Sequence, residues 1–396
     1  MPVLGNGGLD RFHTTRRLPP YVFAQVAEMV AAERADGREV IDLSMGSPDL
    51  PAPRVVIDAL KEEVEHPNAS RYSESAGVAP LRRACADYYG KRFGVKLDPE
   101  RHIVSTLGSK NAFANLATAI TAPGDVILVP NPSYPIHSFG FILAGGVVRP
   151  LPMEPGEEVF RKAEWAIRYS VPKPIAMVIN YPANPTSEVA SLAFYEDVIK
   201  FARKHDLFIL SDLAYAEIYY DDPPPSILQV PGAMDLAVEF TSASKSFNMA
   251  GWRVGFVAGQ ERLISALTRV KAYLDYGSFA PIQHAAALAL EQFEVIAPEV
   301  RAAYASRLGA LLSAAKDSGW DLPRPKASMF SWAKLPNGET DSLAFCQRMV
   351  REAGVALSPG VGFGEAGEGH VRVALVADEE KLAEAARRVG EAISQG

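Results

Sequence analysis

The residues best equipped for chemistry cluster around one lysine. Lys245 lies in Thr241-Ser242-Ala243-Ser244-Lys245-Ser246-Phe247-Asn248-Met249-Ala250-Gly251-Trp252-Arg253-Val254-Gly255, which puts an amine, several hydroxyls and a guanidinium into a turn of small residues. An amine can condense with an aldehyde, and hydroxyls with a guanidinium can hold a phosphate. Pyridoxal phosphate carries both groups, and its enzymes hold it through a lysine Schiff base. A Ser-Lys pair alone is ordinary solvated loop. Here the flanks matter: Val238-Glu239-Phe240-Thr241 reads as a strand end and Val254-Gly255-Phe256-Val257-Ala258 as a second, apolar strand. A lysine held between two buried strands is a poor solvent residue.

The frame that must position this lysine is large. A chain of 396 residues exceeds one small core, so two domains sharing an interface are expected. Hydrophobic residues make up 48% and charge is mixed, as in globular chains. The formal net charge is -7, and no basic cluster is longer than Arg16-Arg17 or Arg82-Arg83, which argues against a nucleic-acid surface. Cys85 and Cys346 fit no metal or redox spacing and read as core thiols suited to a reducing cytoplasm. No signal peptide is visible, and no apolar run approaches membrane length. The expectation is a cytoplasmic protein with no metal, nucleic-acid or membrane partner.

Along the chain, residues 1 to about 20 read as an extended arm, followed by a helix over Val22 to Ala35 and a strand-like Val40-Ile41-Asp42-Leu43. Apolar strands then alternate with amphipathic helices: strands near Ile103, Val126, Ile175 and Leu207, helices near Leu81, Lys110, Phe139 and Phe194. This pattern implies an α/β fold with a mostly parallel sheet covered on both faces. Ligands of such sheets bind at the carboxyl ends of the strands. Gly108-Ser109-Lys110, Tyr134, Asn184, Asp212 and Lys245 all fall there. From Ile282 onward the pattern becomes helix-heavy, with a long helix through Ala285 to Leu312, strands at Met329 to Ala333 and Val371 to Leu375, and a closing helix. The division expected is an arm and small-domain segment over 1–46, a large cofactor-binding domain over 47–281, and a smaller α+β domain over 282–396.

These motifs, in this order and spacing, resemble the fold-type I, class I/II aminotransferases from Leu18-Pro19-Pro20-Tyr21-Val22-Phe23 to Arg372. Within that group the chain is most similar to bacterial glutamate–pyruvate (alanine) aminotransferases, which in turn resemble the LL-diaminopimelate aminotransferases. The resemblance implies a seven-stranded-type sheet, pyridoxal 5'-phosphate, a ping-pong reaction and a homodimer. It makes Lys245 the Schiff-base and proton-transfer residue. It pairs Asp212 with the pyridine nitrogen, sets Tyr215 and Asn184 on the ring 3-oxygen, and stacks Tyr134 on the ring. Gly108, Ser109, Lys110, Ser242, Ser244 and Arg253 would cup the phosphate, with Tyr72 reaching it from the neighbouring subunit. Arg372 would clamp the substrate carboxylate, helped by Gly46 and Asn184, with Tyr21 covering it from the arm. The family usually has Gly after the Asn184-Pro185-Thr186 threonine; this chain has Ser187.

Gly362-Phe363-Gly364-Glu365-Ala366-Gly367 satisfies a dinucleotide glycine pattern but follows no strand and opens no helix, so it reads as a flexible loop beside Arg372. Alanine with 2-oxoglutarate, and glutamate with pyruvate, are the favoured substrates. The alternatives are another donor (LL-diaminopimelate, aspartate, methionine or aromatic) or a lyase using the same cofactor. A non-enzymatic regulatory module fits poorly with an intact set of lysine, aspartate and arginine.

Overall fold

The structure is a computed structural model and describes residue 12 and residues 14–395. Most of the arm expected over residues 1 to 20 lies outside the described residues; Thr15–Arg17 forms a single 3-10 turn. The first elements are α1 (Val22–Ala35), β1 (Ile41–Asp42), α2 (Arg54–Glu65), α3 (Ala79–Phe93), β2 (Ile103–Thr106), α4 (Ser109–Ile120), β3 (Val126–Asn131) and α5 (Ile136–Leu143). Then come β4 (Val147–Pro152), α6 (Glu157–Tyr169), β5 (Pro174–Asn180), α7 (Leu192–His205), β6 (Phe208–Asp212), β7 (Ala237–Ser242), α8 (Ala243–Ser246), β8 (Gly255–Gly259) and α9 (Glu261–Leu274). The rest is α10 (Ala280–Glu291), α11 (Phe293–Asp317), β9 (Phe330–Lys334), α12 (Ser342–Arg348), β10 (Val355–Ala356), β11 (Ser358–Pro359), β12 (His370–Ala374) and α13 (Glu379–Gln395).

Seven strands form one sheet in the order β2-β8-β7-β6-β5-β3-β4. Only β8 runs against its neighbours β2 and β7; the other pairings are parallel. Alternate side chains point to opposite faces, as the period of a strand requires. Ile127, Val129, Val178, Leu210, Val238, Phe240 and Val257 pack with Phe113 and Leu116 of α4 and Leu263 and Leu267 of α9. Leu128, Met177, Ile179, Ile209, Phe256 and Ala258 face the other way, onto the core that holds α3, α7 and α10. Burial on both faces is why these strands read as unbroken apolar runs.

The C-terminal part carries a three-stranded antiparallel sheet, β11-β12-β9. The N-terminal segment joins this part: Ile41 and Asp42 pair in parallel with Val355 and Ala356. Cys85 and Cys346 are both buried and unpaired. No helix among the described residues is long and apolar enough to cross a membrane.

Two expectations need correction. The long helix through Ala285 to Leu312 is two helices, α10 and α11, divided at Gln292 (φ -104°, ψ 18°). Apolar spacing runs on across the break, so composition does not mark it. The glycine segment beside Arg372 is a pair of packed 3-10 turns, Gly360–Phe363 and Glu365–Gly367, with Phe363 buried. Its fold is held by the backbone bond from Ser133 N to Phe363 O at 2.8 Å. The strand β4 gave no clear signal because it is an exposed edge interrupted by Arg149-Pro150.

Candidate active site

The carboxyl ends of β5, β6 and β7 open into a cavity of about 200 Å³. Its wall contains Lys245, Asp212, Tyr215, Tyr134, Asn184, Ser109, Lys110, Ser242, Ser244, Arg253, Arg372, Gly46 and Tyr21. Thirteen expected residues therefore meet in one place, although they span sequence positions 21 to 372. Chain reversal at every strand end makes this possible: each parallel strand delivers its last residue to the same rim.

Lys245 projects from α8, which starts where β7 ends. The Ser242 hydroxyl caps that short helix by accepting the Ser244 N–H at 3.2 Å. The Lys245 amine donates to the Gly46 carbonyl. Burial first, then the positive charges of Arg372 and Arg253, pulls the amine down to a pKa of about 7. Both effects disfavour the ammonium form.

At one end of the cavity lies an anion-seeking surface. Helix α4 starts at Gly108 with no side-chain cap, leaving its first N–H groups free to meet an anion. Gly108 has φ +81°, and a Cβ there would lie 2.7 Å from the Arg253 guanidinium. Glycine thus lets Arg253 close over the helix start, where it donates to the Leu107 carbonyl at 3.0 Å and the Ala250 carbonyl at 2.8 Å. Ser109, Ser242 and Ser244 add hydroxyls to the same wall.

Asp212 ends β6 and is buried. Its Oδ1 accepts the Ala214 N–H at 3.1 Å, and its Oδ2 sits 2.9 Å from His137 Nε2. Tyr134 lines the same cavity, its phenol pushed up to about 12 mainly by burial. Burial raises the Tyr215 phenol further still.

Arg372, on β12 and buried, lines the same cavity. It donates to Asn184 Oδ1 at 2.8 Å, to the Ser44 carbonyl at 2.9 Å and to Ser358 Oγ at 3.1 Å. Its guanidinium faces the rings of Phe330 and Phe363, 4.2 and 4.7 Å from their centroids. Among the described residues no carboxylate pairs with it, and its Nε has no partner. Burial lowers it to about 10. A buried guanidinium without a counter-ion is costly, and an anionic ligand would offset that cost. Gly46 lies against it: a Cβ there would meet the Phe330 ring at 2.8 Å and Arg372 Nη2 at 3.6 Å.

Gly108 lies just behind the cavity wall, beneath Arg253, and Tyr72, expected to reach the phosphate of a neighbouring subunit, lies outside this chain's own cavity. Tyr72 is 92% exposed, and its ring packs edge-on against Tyr276 at 5.9 Å. Sequence reading also missed three participants. His137 is fully buried against Asp212 and lies three residues after Tyr134, a proximity that could have drawn notice. Asn180, at the end of β5, donates to the Asp212 carbonyl at 3.0 Å and accepts the Asn184 N–H at 3.0 Å, so it couples two neighbouring strand ends. Phe23 lines the cavity from the first turn of α1 and packs on Phe363 at 5.1 Å; only its tertiary contacts mark it out.

The fold and this cavity define a class of enzyme, and comparison with known proteins agrees. Residues 38–389 match the family described as aminotransferase class I and II. The chain is 56% identical to a putative aminotransferase, AatC, of Rhizobium meliloti, over 96% of this chain and 95% of that one. It is 44% identical to the glutamate-pyruvate aminotransferase AlaC of Escherichia coli, over 96% and 93%. It is 40% identical to an LL-diaminopimelate aminotransferase of Natranaerobius thermophilus, over 96% and 99%. Among solved structures, substrate-bound BacF from Bacillus subtilis superposes with a TM-score of 0.88 at 32% identity, covering 94% of this chain and 95% of that one.

The chain belongs to the class I and II aminotransferases, and pyridoxal phosphate is the cofactor of that family. The cavity fits this group: a cationic, uncapped helix start suits a phosphate, a buried carboxylate suits a protonated ring nitrogen, and a lysine amine lines the same cavity.

Proposed function

We propose that the enzyme moves an amino group between an L-amino acid, alanine favoured, and a 2-oxo acid of the 2-oxoglutarate/pyruvate pair, in two half-reactions. The observation that carries this reading is that Lys245 and Arg372, which has no carboxylate partner among the described residues, line one cavity and both approach Gly46. An amino acid has an amine and a carboxylate to satisfy both. The bound cofactor supplies an aldehyde that takes the amino group and a cationic ring that draws electrons from the substrate α-carbon.

The chain's own residues do the rest. Arg253, Ser109, Ser242, Ser244 and the start of α4 would hold the phosphate, with Lys110 beside them. Asp212, braced by His137, would keep a proton on the ring nitrogen. Asn184 and Tyr215 would contact the ring 3-oxygen, and Tyr134 would stack on the ring. Arg372 grips the substrate α-carboxylate with Gly46 alongside, and Tyr21 shields it from the arm. Lys245 Nζ, with a pKa of about 7, is free to take the α-proton at neutral pH and to deliver it again.

The donor assignment leans on the likeness to glutamate-pyruvate aminotransferase, and LL-diaminopimelate is the other donor, supported by a likeness of 40%. A homodimer would bring Tyr72 to the partner's phosphate, and its exposed ring is consistent with such a reach. The expected domain division at 46/47 and 281/282 is retained as part of this proposal. A donor panel tests the reading. L-Alanine with 2-oxoglutarate should give pyruvate and glutamate; turnover with LL-diaminopimelate but not alanine would reassign the donor, and release of ammonia without glutamate would make the enzyme a lyase.

A further inference from the structure

Two buried serines outside the cavity share an unusual backbone. Ser187 has φ 62° and Ser328 has φ 67°, both in the left-handed region that disfavours side chains other than glycine, asparagine and aspartate. The two are 4% and 0% exposed. Their hydroxyls meet at 2.6 Å. Ser187 Oγ also donates to the Phe330 carbonyl at 2.9 Å, and Ser328 Oγ accepts the Phe330 N–H at 3.2 Å. Strained serines kept in place by mutual hydrogen bonds mark a junction that the surrounding structure holds deliberately.

That junction joins two of the supports of Arg372, Asn184 and Phe330. Ser187 closes the turn that presents Asn184, whose Oδ1 accepts from Arg372 Nη1 at 2.8 Å; the turn is pinned by Ser187 N to Ala183 O at 3.0 Å. Ser328 leads into β9, whose Phe330 ring lies 4.2 Å from the Arg372 guanidinium. Ser328 is itself anchored, its N–H to the Ile218 carbonyl at 2.8 Å and its carbonyl to the Tyr220 hydroxyl at 2.8 Å. The Asn184 turn follows β5 of the seven-stranded sheet, whereas β9 belongs to the three-stranded sheet. A direct hydroxyl bridge therefore links the two sheets at the point where both touch one guanidinium.

We propose that the Ser187–Ser328 hydroxyl bridge is a positioning device for Arg372: it fixes Asn184 against Phe330, and so sets the angle at which the guanidinium meets the substrate carboxylate. Glycine at position 187 would satisfy the backbone without strain but would leave the Ser328 hydroxyl without this partner. The serine accepts strain and gains the link. The inference rests on Arg372 binding the substrate carboxylate.

The test compares Ser187→Gly, Ser187→Ala and Ser328→Gly in the cofactor-loaded enzyme. Glycine at 187 removes strain and hydroxyl together; alanine removes the hydroxyl alone. KM for both the amino acid and the 2-oxo acid should rise about 3- to 10-fold in Ser187→Gly and in Ser187→Ala, with kcat within about 2-fold. Ser328→Gly, which leaves the Ser187–Phe330 bond in place, should give the same split at smaller size, and combining it with Ser187→Gly should add little to that variant, because Ser187→Gly already removes both links. The melting temperature of Ser187→Gly should equal or exceed that of Ser187→Ala. An unchanged KM, or losses confined to melting temperature, would overturn the proposal. Arg372→Ala run alongside separates the two failures: if it raises KM and the serine variants do not, only the bridge is refuted, and if it leaves KM unchanged, the arginine assignment falls and the bridge with it.

Discussion

Lys245 reaches the cavity from a four-residue helix at the end of one central strand, whereas Arg372 reaches it from a strand of the smaller sheet. Around Lys245 the hydroxyls and the phosphate-side guanidinium are local: Ser242 and Ser244 lie within three residues and Arg253 is eight residues on, while the amine itself donates to the distant Gly46 carbonyl. Around Arg372 most are remote: Ser44, Asn184 and Phe330 come from three other segments, and Ser358 and Phe363 from the single stretch that precedes β12. The environments differ as well. The lysine end offers hydroxyls and free backbone N–H groups, while the arginine end surrounds one charge with aromatic rings. A group held by many small polar contacts can be held firmly throughout a reaction. A single desolvated guanidinium binds strongly only when a carboxylate arrives, which suits a ligand that must come and go.

The contrast can be broken most forcefully at the arginine. Arg372→Ala should lower kcat/KM about 100-fold or more, mainly through KM, while cofactor affinity holds; loss of cofactor with substrate affinity intact would reverse the assignment of the two ends. At the other end, His137→Phe keeps a ring but removes the partner of Asp212. Cofactor affinity and kcat should each fall about 10-fold, as read by titration and steady-state rates, with KM little altered.

The lowered lysine sharpens the comparison through pH. Only the neutral amine attacks an aldehyde, and Lys245 loses its proton near pH 7, against an ordinary 10.5. The rate at which cofactor-free protein takes up pyridoxal phosphate should therefore rise with pH and level off above about 7, being about 10-fold slower at pH 6 than on the plateau. A rise continuing toward pH 10 would mean that the amine is not desolvated.

The smallest effect concerns a carboxylate away from the cavity. Glu239 on β7 is fully buried and accepts from Tyr89 at 2.9 Å, Ser226 at 2.5 Å, Ser211 at 3.2 Å and Ile227 N–H at 3.2 Å. Burial raises it from 4.5 to about 7 despite those donors. Between these values the folded chain holds a proton that the unfolded chain has released, so stability is greatest below pH 4.5 on this account and falls through pH 7. The melting temperature should decline from pH 5 to 8 more steeply in the native protein than in Glu239→Gln; parallel profiles would contradict it.

The same contrast explains what the sequence could tell. The alternation of apolar strands and helices announced the parallel sheet, and the polar residues at the strand ends announced the cavity, because both are written in short contiguous stretches. Lys245, Asp212 and Arg253 were legible for that reason. His137 was not, since a histidine on an apolar helix resembles a core residue until Asp212 is placed 2.9 Å away. Asn180 looked like the end of a strand, and its two bonds exist only across β5, β6 and the turn before Asn184. Phe23 and the serine pair depend on contacts between segments more than a hundred residues apart, which no local pattern encodes. The break at Gln292 escaped for the opposite reason: apolar residues continue on both sides, and only the backbone turns.

Borohydride reduction of the pyridoxal phosphate-loaded protein, followed by peptide mass mapping, bears most directly on the site. The account predicts one phosphopyridoxyl adduct, on the peptide carrying Lys245, and none at that position after Lys245→Ala. An adduct on Lys110 or another lysine, or no adduct on a protein that still transaminates, would contradict it.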